Sequence, residues 1–124
     1  MIIKIIIAVI VVFFILRYLF PIVKVCGDSM FPTYHDGEVL ITFRILRKNR
    51  VKNGDVVIYQ MHENGKRNVI KRVADVKTVG NKLSFYCLGD NADESYDSRY
   101  YGYIPSAWLV CKPFNQRLKE VSKK

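Results

Sequence analysis

The first 23 residues, MIIKIIIAVIVVFFILRYLFPIV, are apolar except for Lys4 and Arg17, and no alternation interrupts the run. Ile2 to Val23 makes 22 residues, against the roughly 20 needed to cross a hydrocarbon core as a helix. The segment reads as a transmembrane helix over 1–23. Lys4 and Arg17 are placed to snorkel toward opposite interfaces, Tyr18 suits the interfacial belt, and Pro21 marks an end to regular helix. A cleavable signal peptide with Ile5 to Leu16 as its apolar region is the competing reading. It is disfavoured because bulky Tyr-Leu-Phe continues the run and no A-x-A site follows.

From residue 24 onward the pattern changes to short apolar runs separated by turn residues. Residues 25–37 form a loop around Gly27, Pro32 and Gly37, and Glu38 to Leu46 alternates as a strand. The basic connection RKNRVKNG leads to a β-rich run, DVVIYQMH, which ends at the hairpin signal Asn64-Gly65. NVIKRVADV returns, a turn follows at Gly80-Asn81, and LSFYCL completes a β-meander. Gly89 to Pro105 is polar and rich in turn residues, SAWLVCKPF reads as a closing strand, and NQRLKEVSKK reads as a frayed basic tail or short helix. The expected architecture is a mainly β domain over 24–124, behind one N-terminal transmembrane helix. A chain of 124 residues holds one such core.

Charge adds little to this picture. Residues 24–124 carry 18 basic and 11 acidic side chains, a net of +7, which suits nucleic acid and anionic lipid headgroups alike. No nucleic-acid motif accompanies the charge. Cys26, Cys87 and Cys111 lack any C-x-x-C spacing, which argues against zinc and for small buried hydrophobes. A Cys87 to Cys111 disulfide is left open for an extracellular domain.

Chemistry centres on Ser29, in GDSMFPT, because a serine hydroxyl needs only an adjacent base to become a nucleophile. The two histidines, His35 in a turn and His62 beside the hairpin signal, have no convincing third member for a triad. Lysine serves as a base if burial strips its charge near neutral pH. In NVIKRVADV, Val69, Lys71 and Val73 share one face while Ile70, Arg72 and Ala74 share the other. Lys71 is a buried base if the valine face is inward, and a solvated lysine if Ile70 is inward. Alternation alone leaves both open.

Four segments in order behind a membrane helix, GDSMFPT, NGDVVIY, VIKRV and LGDNADESYDSRYYGYIP, resemble the successive motif boxes of type I signal peptidases, in particular the small Gram-positive form with a Ser-Lys dyad. The resemblance covers about residues 1 to 105. It implies a signal peptidase/LexA-like β-domain on the extracytoplasmic side of a cell membrane, crossed once. It further implies a serine endopeptidase that removes signal peptides from exported preproteins. By that resemblance Ser29 is the nucleophile, Lys71 the general base, and Ser95 the serine that hydrogen-bonds and orients the lysine. Asp97 and Arg99 are the pair that braces the loop, and Gly89, Asp90 and Asn91 open the same box near the site. Met30, Pro32 and Thr33 complete the first box, and Met30 and Pro32 hold the nucleophile in place.

Two departures qualify the resemblance. Gly27 stands where some relatives carry an oxyanion-hole serine, so the hole rests on the Ser29 N–H and a Gly27 backbone donor. ADVKTVG replaces the usual Gly-Leu-Pro-Gly-Asp stretch, and the large inserted second domain of longer relatives is missing, which bears on substrate range. The chemistry needs no metal or cofactor. The partners implied are signal peptides and membrane lipids, with no nucleic acid. The rival from another class is a non-catalytic, membrane-tethered assembly or binding module for pilin-like or exported partners. A self-cleaving LexA-like repressor would need a DNA-binding region and an Ala-Gly cleavage site, and this sequence has no Ala-Gly.

Overall fold

The computed structural model describes residues 1–61 and 67–119. Helix α1 runs from Ile2–Leu19, none of its residues is buried, and by length and composition it is apolar enough to cross a membrane. Eighteen residues span about 27 Å, close to the thickness of a bilayer core. The helix ends earlier than the apolar pattern. Phe20 and Pro21 break it, and Ile22–Lys24 becomes strand β1, which pairs antiparallel with β2 (Val39–Arg44). Hydrophobicity cannot distinguish the last turn of such a helix from a short apolar strand.

The remainder is mainly antiparallel β structure. Strands β3 (Val56–Met61), β4 (Arg67–Val79), β5 (Lys82–Leu88), β6 (Ile104–Pro105) and β7 (Leu109–Pro113) join β1 and β2 in one sheet of order β1-β2-β7-β3-β4-β5-β6. The turn between β4 and β5 uses Gly80 at φ +63°, a conformation open to glycine at little cost. The hairpin signal Asn64-Gly65 and His62 lie outside the described residues. Gly89 to Pro105 contains more regular structure than its polarity suggests, namely the one-turn helix α2 (Ser98–Tyr101) and β6.

Around β3 both faces of the sheet are covered, which explains why Val56 to Tyr59 reads as a continuous apolar run. Val57, Tyr59 and Met61 enter one core with Val73, Phe85, Cys87, Ile104 and Leu109. Val56 and Ile58 enter a second with Val25, Met30, Tyr34, Leu40, Ile70 and Cys111. Cys87 and Cys111 therefore belong to separate cores, and all three cysteines are free thiols. The choice between the two faces of β4 dissolves for the same reason: Ile70, Lys71 and Val73 are 7%, 4% and 1% exposed.

The tail is not simply frayed. Gln116 exchanges hydrogen bonds with the backbone N–H and C=O of Val56 at 2.7 and 2.9 Å, in place of a strand partner. Arg117 donates to the Thr33 carbonyl and the Glu38 carboxylate, both at 2.9 Å, and stacks over the Tyr34 ring.

Candidate active site

Ser29 opens a tight turn that leaves the β1 end of the sheet. The Phe31 N–H donates to the Asp28 carbonyl at 3.1 Å and the Tyr34 N–H to the Met30 carbonyl at 2.9 Å. Met30 and Tyr34 are fully buried and anchor the turn in the second core. Pro32 follows a cis peptide bond within it. Asn91 clamps the turn from outside: its N–H donates to the Ser29 carbonyl and its side-chain amide to the Asp28 carbonyl, each at 2.9 Å.

Asp90 ties the same turn to β4. Its carboxylate accepts from the Thr33 hydroxyl at 2.7 Å and from Arg72 through two nitrogens at 2.9 and 2.8 Å. Its N–H points at the Met30 sulfur, 3.4 Å away. Because Arg72 and Lys71 are neighbours on β4, this ion pair sets the register between the lysine and the turn that carries Ser29.

Lys71 comes from the middle of β4, opposite Val57. Its Nζ lies 2.8 Å from the Ser29 Oγ. Burial lowers the pKa of the amine to about 8. The nearby Asp97 carboxylate works against that fall, while the positive charges of Arg67 and Arg99 reinforce it. A thiol is close as well: Cys87, beside Val73 on the neighbouring strand β5, is pushed up to about 12 by its own burial and stays protonated.

The loop after β5 closes the site. Asp97 is fully buried and is met by Arg99 at 2.9 and 2.5 Å, by the Ser95 hydroxyl at 2.6 Å and by the Gly89 N–H at 2.8 Å. Burial alone would raise its carboxyl, yet these donors hold it well below the usual carboxylate range. The bracing pair is thus a bidentate, charge-assisted contact rather than a loose surface pair. Gly89 is needed for closeness: a Cβ there would lie 2.1 Å from the Ser95 Oγ and 2.6 Å from the Ser29 carbonyl oxygen.

Two expectations change. Ser95 was expected to hydrogen-bond Lys71, but its hydroxyl is given to Asp97, so it touches the lysine's environment through that carboxylate. Gly27 was expected to supply an oxyanion donor, but its N–H, at φ +90°, donates to the Asp36 carboxylate at 2.8 Å. A short acidic side chain nine residues on competes for that donor more effectively than solvent does. Among the described residues no group accepts the Ser29 N–H. His35 is exposed and packs edge-on against Phe31, away from any serine-base arrangement.

The pair faces a cleft of about 640 Å³. One wall is β1 with the loop to Ser29, the other is the first part of β4, from Arg67 to Lys71, and Glu94 and Tyr96 come from the loop after β5. β1 is the outermost strand, and β4 pairs with β5 only from Arg72 onward. Among the described residues, both walls therefore offer unpaired strand edges.

A family description, "Signal peptidase, peptidase S26", matches residues 1–82, a span that contains Ser29 and Lys71 but not the loop bearing Ser95. Subunit 1 of the mitochondrial inner membrane protease of Schizosaccharomyces pombe is 28% identical, over 77% of this chain and 72% of that protein. The corresponding mouse subunit (Mus musculus) is 29% identical, over 72% and 64%. An Arabidopsis thaliana protein, mitochondrial ATP-independent inner membrane protease subunit 1b, is 31% identical, over 64% and 59%. With two thirds of its length matched, the chain belongs to the signal peptidase family, peptidase S26, a family of signal-peptidase-like proteases.

Proposed function

We propose that this protein is a membrane-bound serine endopeptidase that removes signal peptides from exported preproteins through a Ser29-Lys71 dyad. One observation carries the reading: a buried lysine amine with a lowered pKa, 2.8 Å from a serine hydroxyl, in a cleft with two free strand edges. In this reading α1 spans the bilayer and residues 24–124 form the extracytoplasmic catalytic domain.

The steps follow from the geometry. With a pKa of about 8, roughly a tenth of the Lys71 amines are neutral at pH 7. The neutral amine accepts the Ser29 proton as Oγ forms a bond to the scissile carbonyl carbon, and the carbonyl electrons move onto oxygen. The Ser29 N–H is the donor left to receive that oxyanion. The Lys71 ammonium then gives its proton to the departing amine as the C–N bond breaks, leaving an ester on Ser29. Lys71 next takes a proton from water, hydroxide displaces Oγ, and the ammonium returns the proton to Ser29.

An extended substrate segment would pair with the edges of β1 and β4, its main chain supplying affinity and alternate side chains entering the cleft. Small residues at the first and third positions before the cut fit shallow pockets beside such a strand. Anchoring enzyme and substrate in one bilayer raises their effective concentration. Asp97, buried behind Ser95 and Gly89, steadies the loop and keeps the amine from losing its proton altogether.

Purified full-length protein incubated with a preprotein tests this reading. N-terminal sequencing of the mature product should report a single cut after a small residue, and Ser29→Ala and Lys71→Ala should each abolish it. Full activity in either variant would overturn the dyad.

A further inference from the structure

A second cavity, of about 330 Å³, lies at the other end of β2, away from Ser29. Its lining includes Arg44, Arg47, Arg50 and Lys112 together with the apolar Phe43 and Leu46. The stretch from 44 to 52 holds five basic residues, and no acid occurs between Glu38 and Asp55. Lys112 is paired with Asp55 at 2.8 Å. Among the described residues no carboxylate pairs with Arg44, Arg47 or Arg50. The crowding is felt locally: burial, and then the charge of Arg44, lower the pKa of the Lys48 amine, which donates to the Leu109 carbonyl. Like charges gathered around a hollow disfavour the empty state and favour an anion there.

The cavity adjoins the end of α1. Arg44 donates to the Tyr18 carbonyl at 2.9 Å and its guanidinium lies 4.0 Å over the Tyr18 ring. Phe20 stacks on Phe114, which packs on Phe43 in the cavity wall. Leu46 is 71% exposed beside these charges. An anionic head flanked by apolar surface, at the level where a membrane helix leaves its bilayer, matches this arrangement.

We infer that this cavity is a binding site for the phosphate headgroup of an anionic phospholipid, held by Arg44, Arg47 and Arg50, with Phe43 and Leu46 against the start of its acyl chains. Guanidinium groups suit phosphate because their donors form a planar fork, and basic clusters beside a membrane span are the usual reader of anionic lipid. The site rests on α1 being a membrane span and is independent of the chemistry at Ser29. Its occupation would fix how the sheet tilts over the bilayer, and hence how high the cleft stands above it.

The test is titration of full-length protein in a neutral detergent, read by native mass spectrometry, with phosphatidylglycerol, phosphatidylcholine or inorganic phosphate. Phosphatidylglycerol should bind, and phosphatidylcholine and phosphate should bind much more weakly. Removing two arginine charges in Arg47→Gln/Arg50→Gln should weaken phosphatidylglycerol roughly thirtyfold. Arg50→Gln alone, whose side chain makes no hydrogen bond among the described residues, should give an intermediate loss. Equal binding of phosphatidylcholine, or phosphate binding as well as the lipid, would overturn the site. So would an equal loss in Lys77→Gln/Lys82→Gln, on the β4–β5 hairpin. Carbonate extraction tests the span separately, and Ser29→Ala should bind lipid normally while losing cleavage. A protein that stays in the membrane and cleaves, yet shows no lipid preference, sinks this inference alone.

Discussion

Lys71 and Ser29 stand 42 residues apart in the chain and 2.8 Å apart at Nζ and Oγ, with the lysine 4% exposed. Holding an amine there lowers its pKa from 10.5 to about 8, which corresponds to a penalty of up to about 3 kcal/mol against the ammonium form. The penalty is present in full below pH 8, where folded and unfolded chains are both protonated. It fades as pH rises to 10.5, where the unfolded chain also loses its proton. Lys71→Met should therefore be more stable than the natural protein at pH 7, by up to about 3 kcal/mol. Its advantage should shrink between pH 8 and 10.5. Urea unfolding across that range checks both the size and the sign.

Charges around the amine tune it in opposite directions. Asp97 favours the ammonium, and Arg67 disfavours it. Arg67→Gln should raise the apparent pKa of the dyad and slow cleavage at pH 7, because less amine is neutral. Asp97→Asn should lower the apparent pKa, while also weakening the fold by leaving Arg99 unmatched. A pH–rate comparison of the two variants separates this electrostatic account from simple damage, since damage would not move the midpoint in opposite senses.

Gly89 sits where a side chain has no room. Gly89→Ala places a Cβ against the Ser29 carbonyl oxygen and the Ser95 Cβ, 2.6 and 2.5 Å away. The loop and the turn that carries Ser29 must separate. We expect a loss of about 1–3 kcal/mol in stability, together with a fall in kcat of the order of a hundredfold. Unfolding curves and steady-state kinetics on the same protein measure the two effects.

The Arg72-Asp90 pair is nearly closed to solvent, with side chains 14% and 2% exposed. Arg72→Gln leaves the Asp90 carboxylate buried and short of its partner, which should cost about 3–5 kcal/mol. Asp90→Asn added to it should recover part of the loss. A double-mutant cycle measures the coupling, and additivity would contradict the proposed tie between β4 and the Ser29 turn.

Much of this was legible in the sequence. The β-meander follows from alternation and turn residues, and the order of motif segments pointed to Ser29 and Lys71 together. The face of β4 was not readable, because a sheet covered on both sides buries Ile70 and Lys71 alike and alternation then carries no signal. The end of α1 was hidden by Ile22 and Val23, which carry the apolar run past Pro21 into β1. Local pattern likewise could not show that Gln116 and Arg117 fold back onto Val56 and Thr33, some 60 and 84 residues earlier. The Gly27 donor was lost to Asp36, whose approach depends on the turn rather than on spacing.

The central claim is that Lys71 is the group whose loss of a proton switches on Ser29. Its most direct test is kcat/KM for preprotein cleavage as a function of pH. The rate should rise with a midpoint near 8 and flatten above it, and Lys71→Ala should show no such limb. A rate independent of pH between 6 and 10, or an unchanged limb in Lys71→Ala, would contradict it.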